Sequence, residues 1–218
     1  MNNMKKASAS SVVYVIDDDA AIRDSLALLL NASGFKVCCF ENAERFLFAL
    51  SASDPQTICC ALLDINLDGM SGIELQEILL SRQLNIPIAF ITGAGEISSA
   101  VNALKKGAID FLQKPIKEDL LCNLVSTMLK KAQLDHDRHT DLNELNEKFM
   151  LLSKREVQVL ERIVAGRINK QVATDLNISV KTVEAHRANI MSKLQANRPA
   201  NLLEKAIKHQ EAKALGLI

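Results

Sequence analysis

The stretch "ICCALLDINLDGMSG", residues 58–72, decides the fold. Ile58 to Leu63 are all apolar or thiol, and Asp64 follows at once. A short apolar run bounded by turn residues has the length of a strand covered on both faces. Gly69 marks a turn, and "SGIELQEILLSR" (71–82) has helical spacing. The unit is therefore a dry strand, a loop headed by a carboxylate, and a helix.

The same unit recurs on either side. "SVVYVI" (11–16) is an apolar strand ending at "DDD", and "AAIRDSLALLLNAS" (20–33) follows with Ile22, Leu26 and Leu29 at helical spacing and Gly34 as a stop. "FKVCCF" (35–40) reads as a strand and "NAERFLFALSAS" (42–53) as a helix capped by Asn42. "IPIAFIT" (86–92) is a fourth strand, "ISSAVNALKKG" (97–107) a helix and "AIDFLQ" (108–113) a short fifth strand. A further helix begins at Lys117 with "KEDLLCNLVSTMLKK". Continuous apolar strands alternating with amphipathic helices predict an α/β fold, a doubly wound five-stranded parallel sheet with both faces covered. In such sheets the loops at the carboxyl ends of the strands form the ligand site. Asp17, Asp18, Asp64 and Thr92 all stand at strand carboxyl ends, and Lys114 follows the fifth strand.

Those side chains point to phosphoryl chemistry. Converging carboxylates repel one another unless a divalent cation neutralises them, and Mg²⁺ suits hard oxygen donors. A hydroxyl and a lysine beside the metal suit a phosphoryl group, which an aspartate can take as an acyl phosphate. "TGAGEIS" (92–98) is not a dinucleotide loop. It follows the fourth strand, lacks the third glycine, and has no acid about 20 residues further on.

The remainder has a different character. Residues 1–130 carry 11 basic and 15 acidic side chains, residues 131–150 carry 3 and 5, and residues 151–218 carry 12 and 6, so the chain is neutral overall. An acidic front and a basic end imply different partners for each, nucleic acid being the expected partner of the basic one. Residues 131–150 are polar but helix-compatible. Leu121, Val125, Met128, Leu142, Leu145, Phe149 and Leu152 approximate a heptad, so this segment reads as a long helical linker, either solvated or the seam of a coiled-coil dimer. From 151 every segment is helical in pattern. Ser153 with Glu156 makes a capping box, Gly166 ends that helix, "NKQVATDL" is a short helix, "NIS" a tight turn, and Ser179 caps a longer helix. Pro199 opens a last one. The result is an all-α, four-helix helix-turn-helix domain. Val183, Ile190 and Leu194 form the buried stripe of the long helix. The opposite face carries Lys181, Ala185, Ala188 and Ser192, with Glu184 on its flank. Small residues admit close approach to a major groove. Glu184 suits a cytosine amino group and the alanines suit thymine methyls. Lys170, Thr182, Arg187, Asn189 and Lys193 are candidates for phosphate.

The acidic pair after strand one, Asp64 after strand three, "FITG" at strand four and "FLQKP" at strand five resemble the receiver domain of two-component response regulators, over residues 11–130. The basic end is similar to the LuxR-type DNA-binding domain. The whole resembles the NarL/FixJ family, nearer the FixJ branch. The resemblance implies a flavodoxin-like receiver and makes Asp64 the phosphoacceptor. It makes Asp18, Asp64 and the backbone carbonyl of Asn66 Mg²⁺ ligands, with Asp17 as the acidic partner beside them. It further implies that Lys114 contacts phosphate, that Thr92 and Phe111 are switch residues, and that Lys114–Pro115 is a cis peptide. The long basic-domain helix becomes the major-groove reader and the last helix a dimer contact on DNA. Asp68 departs from the pattern, standing where many relatives have proline and adding negative charge near the site.

The implied function is phosphorylation-activated regulation of transcription. It is not an enzyme of metabolism, although the receiver catalyses its own phosphorylation. A sensor histidine kinase, promoter DNA and RNA polymerase are the expected partners, with a homodimer on activation. The alternative, a Mg²⁺-dependent phosphatase, needs a second acid two residues after its aspartyl nucleophile, where this chain has Asn66. A small-molecule-sensing LuxR-type activator has no use for the acidic pair and the lysine. "MNNMKKASAS" (1–10) lacks the apolar stretch of a secretory leader and reads as a flexible N-terminus. No run of 18 apolar residues occurs. Five cysteines sit in apolar runs without Cys-x-x-Cys spacing, as small core residues of a reducing compartment do. The expected location is the cytoplasm.

Overall fold

The computed structural model describes residues 11–54, 56–93 and 104–218. The predicted N-terminal segment 1–10, residues 97–103 of the predicted helix 97–107, and most of the loop 92–98 lie outside the described residues. The chain divides into two compact units, one ending at His136 and one spanning Asp137–Ile218.

In the first unit, β1 (Val12–Ile16), α1 (Ala20–Ala32), β2 (Lys36–Phe40), α2 (Ala43–Ser51), β3 (Cys59–Asp64), α3 (Gly72–Ser81), β4 (Ile88–Thr92) and β5 (Asp110–Gln113) follow in order. The strands form one parallel sheet ordered β2-β1-β3-β4-β5. This order places the topological switch between β1 and β3, the strands that carry the acidic residues. The apolar runs have a direct cause. Val12, Tyr14 and Ile16 pack into one core with Phe46, Leu63, Leu75 and Phe90. Val13 and Val15 pack into the other with Leu26, Leu30, Leu62 and Ile91. Successive strand residues face opposite sides, so a strand covered on both needs apolar residues throughout.

Only the inner strands meet that expectation. The edge strands β2 and β5 are partly exposed, because the edge of a sheet has a neighbour on one side alone. The cysteines divide likewise. All five are free; Cys60 is buried, Cys39 on the β2 edge is exposed, and Cys38, Cys59 and Cys122 lie between.

Helix α4 runs unbroken from Glu118 to Met150. Its positions that suggested a heptad are covered within the chain. Leu121, Val125 and Met128 belong to the first unit's core. Leu142 and Leu145 are buried, and Leu152 lies in the core of the second unit. Phe149 stacks on the His209 ring with centroids 3.9 Å apart, and Asn146 Oδ1 lies 3.1 Å from His209 Nε2. Burial, then the charge of Lys213, pushes the His209 pKa down. The pattern therefore reflects intramolecular packing rather than an exposed coiled-coil seam, and the last turns of α4 form part of the second unit.

The second unit continues with α5 (Lys154–Val164), α6 (Asn169–Leu176), α7 (Val180–Lys193) and α8 (Pro199–Ala214). Asn177 caps α6 in the left-handed region at φ 52°, and Ser179 accepts from Thr182 N to open α7. The two helices are thus separated by a three-residue turn. Val183, Ile190 and Leu194 are fully buried with Val172, Leu202 and Ala206. Each large apolar side chain so covered contributes roughly 1.5–3 kcal/mol.

Candidate functional site

The carboxyl edge of the sheet brings the predicted acids and lysine together. Asp17 and Thr92 are 0% exposed and Asp64 is 6% exposed, whereas Asp18 faces solvent. Lys114 Nζ donates to Asp17 Oδ2 at 2.8 Å and Asp64 Oδ1 at 3.0 Å. Burial alone would push the Lys114 pKa down, but hydrogen bonds and charge from the two carboxylates hold it above its ordinary value. One cation thus offsets the repulsion of two buried acids.

The backbone aims these groups. Asp64 is the last residue of β3 rather than the first beyond it. Its Oδ2 accepts from Asn66 N at 3.2 Å. Asp17 Oδ1 accepts from Asp19 N at 2.9 Å, and Asp19 caps α1. Thr92 Oγ1 donates to Gly93 O at 3.2 Å, and Lys114 N donates to Thr92 O at 2.9 Å. Lys114–Pro115 is cis. Phe111, half-buried and paired in register with Phe90, packs against the core under β4. Carboxylate oxygens of Asp17, Asp18 and Asp64 lie within 4.8 Å of one another. Three hard oxygen donors so close fit a small divalent cation.

Gly72 is a participant that the strand-and-helix pattern did not single out. A Cβ there would lie 2.1 Å from Asp64 O, so only glycine lets α3 start against the end of β3. Its amide donates to Ile65 O at 3.0 Å, closing the loop that follows Asp64. The legible signal was the Ser71–Gly72 pair. Ser71 and Glu74 form a capping box that fixes where α3 begins.

On the second unit, Lys170, Lys181, Thr182, Glu184, Ala185, Ala188 and Asn189 are exposed. The exposed residues of α7 lie away from its buried stripe. Thr182 Oγ1 is 2.7 Å from Ser179 Oγ. Arg187 is half-buried, and its Nη1 donates to Asn169 Oδ1 at 3.1 Å, tying α7 to α6. Lys193 differs from the rest. Its Nζ donates to Glu156 Oε2 at 2.7 Å and to Leu151 O at 3.1 Å. Glu156 is 3% exposed, and Lys193, with help from Ser153, holds its pKa down to about 2 against the cost of burial. The ammonium expected on DNA phosphate is spent instead on a buried carboxylate.

Comparison with known proteins agrees with this geometry. The profile of the "response regulator receiver domain" matches residues 13–126, and that of the "bacterial regulatory proteins, luxR family" matches residues 150–206. The transcriptional regulatory protein FixJ of Bradyrhizobium diazoefficiens is 39% identical over 196 residues, covering 90% of this chain and 94% of FixJ. The response regulator protein TmoT of Ectopseudomonas mendocina is 40% identical over 194 residues, covering 88% and 86%. Among solved structures, response regulator StyR superposes with a TM-score of 0.82 at 40% identity, covering 92% of this chain and 100% of StyR. Full-length FixJ from B. japonicum gives 0.56 at 38% identity, covering 92% and 97%. An acidic sheet edge on one unit, a helix-turn-helix on the other, and relatives that span both place the chain in the response-regulator family, as a phosphorylation-dependent transcriptional regulator with a receiver domain and a LuxR-type DNA-binding domain.

Proposed function

We propose that Asp64 accepts a phosphoryl group from the phosphohistidine of a sensor histidine kinase, with Mg²⁺ held by Asp18, Asp64 and the Asn66 carbonyl and Asp17 beside them. An Asp64 carboxylate oxygen forms the new P–O bond, the P–N bond to the kinase imidazole breaks, and the imidazole leaves. The observation that carries this reading is the Lys114 ammonium between Asp17 and Asp64. It lies within reach of any anion on Asp64 and is itself a phosphate-binding cation. Mg²⁺ supplies charge neutralisation at the same carboxylates. Thr92 then moves toward the phosphoryl oxygens and Phe111 follows, altering the face that contains β5 and favouring a homodimer.

In this reading residues 11–130 are the receiver, 131–150 the helical linker and 151–218 the DNA-binding domain. Helix α7 enters the major groove of promoter DNA, with Glu184, Ala185 and Ala188 toward base edges. Lys170, Lys181, Thr182, Arg187 and Asn189 face phosphates. Lys193 leaves the phosphate set because its charge is already paired. Two DNA-binding domains joined in a dimer gain roughly 10²–10⁴ in avidity. The protein works in the cytoplasm, where it meets kinase, DNA and RNA polymerase.

The test is incubation of the full chain with Mg²⁺ and a small radiolabelled phosphodonor. Wild type is expected to take up acid-stable, base-labile label. Asp64→Asn is expected to take up none while its circular dichroism stays unchanged. Equal labelling of Asp64→Asn would place the acceptor elsewhere.

A further inference from the structure

We infer that Arg23 is a positioning residue for the metal-binding carboxylates, acting through their main chain. The inference rests on the reading of Asp17, Asp18 and Asp64 as a Mg²⁺ site. Arg23 lies in the second turn of α1 and is half-buried. Its Nη1 donates to Asp17 O at 2.8 Å and to Asp18 O at 2.9 Å. Those carbonyls belong to the two consecutive residues whose side chains, with Asp64, make the acidic cluster.

β1 ends at Ile16, so Asp18 has left the regular sheet ladder and faces solvent. Each carbonyl lies in a planar peptide unit. Holding the carbonyls of Asp17 and Asp18 on one nitrogen therefore holds the peptide planes on both sides of Asp18, which sets φ and ψ there and so the direction of its Cα–Cβ bond. Other contacts fix the neighbours of Asp18. Asp17 N donates to Phe40 O at 3.3 Å, Asp19 N to Asp17 Oδ1 at 2.9 Å, and Asp19 caps α1. Arg23 N also donates to Asp19 O at 3.0 Å, so the arginine and the loop it clamps belong to one turn of structure. Groups that orient metal ligands without touching the metal commonly govern its affinity.

Charge and position predict opposite signs here. A cation near three carboxylates opposes Mg²⁺ by Coulomb's law, so removing it would tighten binding if charge alone mattered. If Arg23 positions the loop, removing it weakens binding.

The experiment is isothermal titration of the full chain with Mg²⁺ alone at constant ionic strength. Arg23→Met keeps the apolar stem and removes the donor. Its affinity is expected to fall on the order of tenfold, with folding verified by circular dichroism. Arg23→Lys keeps a donor and a charge on a shorter reach, and is expected to fall between. Unchanged or tighter binding by folded Arg23→Met overturns the inference. If Arg23→Met does not fold, Arg23→Lys decides, and wild-type or tighter affinity overturns it. Asp18→Asn is the control. If wild type shows no Mg²⁺ binding that Asp18→Asn weakens, the metal-site reading itself fails, and this inference with it. Wild-type binding matched by Arg23→Met defeats the inference alone.

Discussion

Replacing Lys193 with methionine separates two roles for one lysine. The change keeps the aliphatic stem and removes the ammonium that reaches Glu156 Oε2 and Leu151 O. A carboxyl lowered from 4.5 to about 2 corresponds to about 3 kcal/mol of stability at neutral pH as a ceiling. Part of it survives the substitution, because Ser153 N still donates to Glu156 Oε2 at 2.7 Å. Part was never realised, because the Lys193 side chain is 37% exposed and water screens its charge. A loss of about 1–2 kcal/mol remains. For a unit of this size that lowers the midpoint of its thermal transition by roughly 5–15 °C. The sign with pH follows from the lowered carboxyl. Its contribution is present in full above about pH 4.5 and is lost as pH falls toward 2, so the variant's deficit should shrink over that range. The assay is calorimetry of the full chain at several pH values, beside binding of a random-sequence duplex over a salt series. The salt slope should match wild type, since no phosphate contact has been removed. An unchanged unfolding midpoint, together with a log–log slope shallower by about one unit per half-site, would refute the reasoning and return Lys193 to the DNA.

Gly72→Ala should cost about 1–3 kcal/mol, the usual penalty for forcing atoms into a filled space, and should slow labelling of Asp64 because the loop after β3 must move; denaturant titration and phosphodonor kinetics check both. Lys114→Met leaves Asp17 and Asp64 facing each other, so its melting temperature should fall without Mg²⁺ and rise more steeply with added Mg²⁺ than that of wild type. A melting curve that does not respond to Mg²⁺ would contradict a shared site. Ala188→Asp puts a negative charge on the exposed face of α7 and should abolish binding to duplex DNA. Thermal unfolding should not change, because position 188 points away from Val183, Ile190 and Leu194. Normal DNA binding by that variant would mean that α7 does not enter the groove.

What the chain declares locally was legible in the sequence. The runs 11–16, 58–63 and 86–92 read as buried strands because both faces of an inner parallel strand require apolar residues. Asn42, Ser153, Ser179 and Pro199 read as helix starts because capping is settled within three or four residues. Asp17, Asp18, Asp64, Thr92 and Lys114 stood out because a polar residue directly after an apolar strand must lie at the sheet's rim. The remaining features depend on which distant residue arrives opposite. Lys114 meets Asp17 across 97 residues and Asp64 across 50. Lys193 meets Glu156 across 37, which turns a residue at the end of α7 into an internal tie. Gly72 is required by the carbonyl of Asp64, and Arg23 by two carbonyls that carry no sequence mark, since every residue has one. The spacing of Leu142, Leu145 and Phe149 marked one face of a helix and left open whether that face was solvated or the seam of a dimer. Only the folded chain shows that Leu142 and Leu145 are buried within the same molecule and that Phe149 stacks on His209, because apolar burial is non-directional and a pattern names a face without naming its partner.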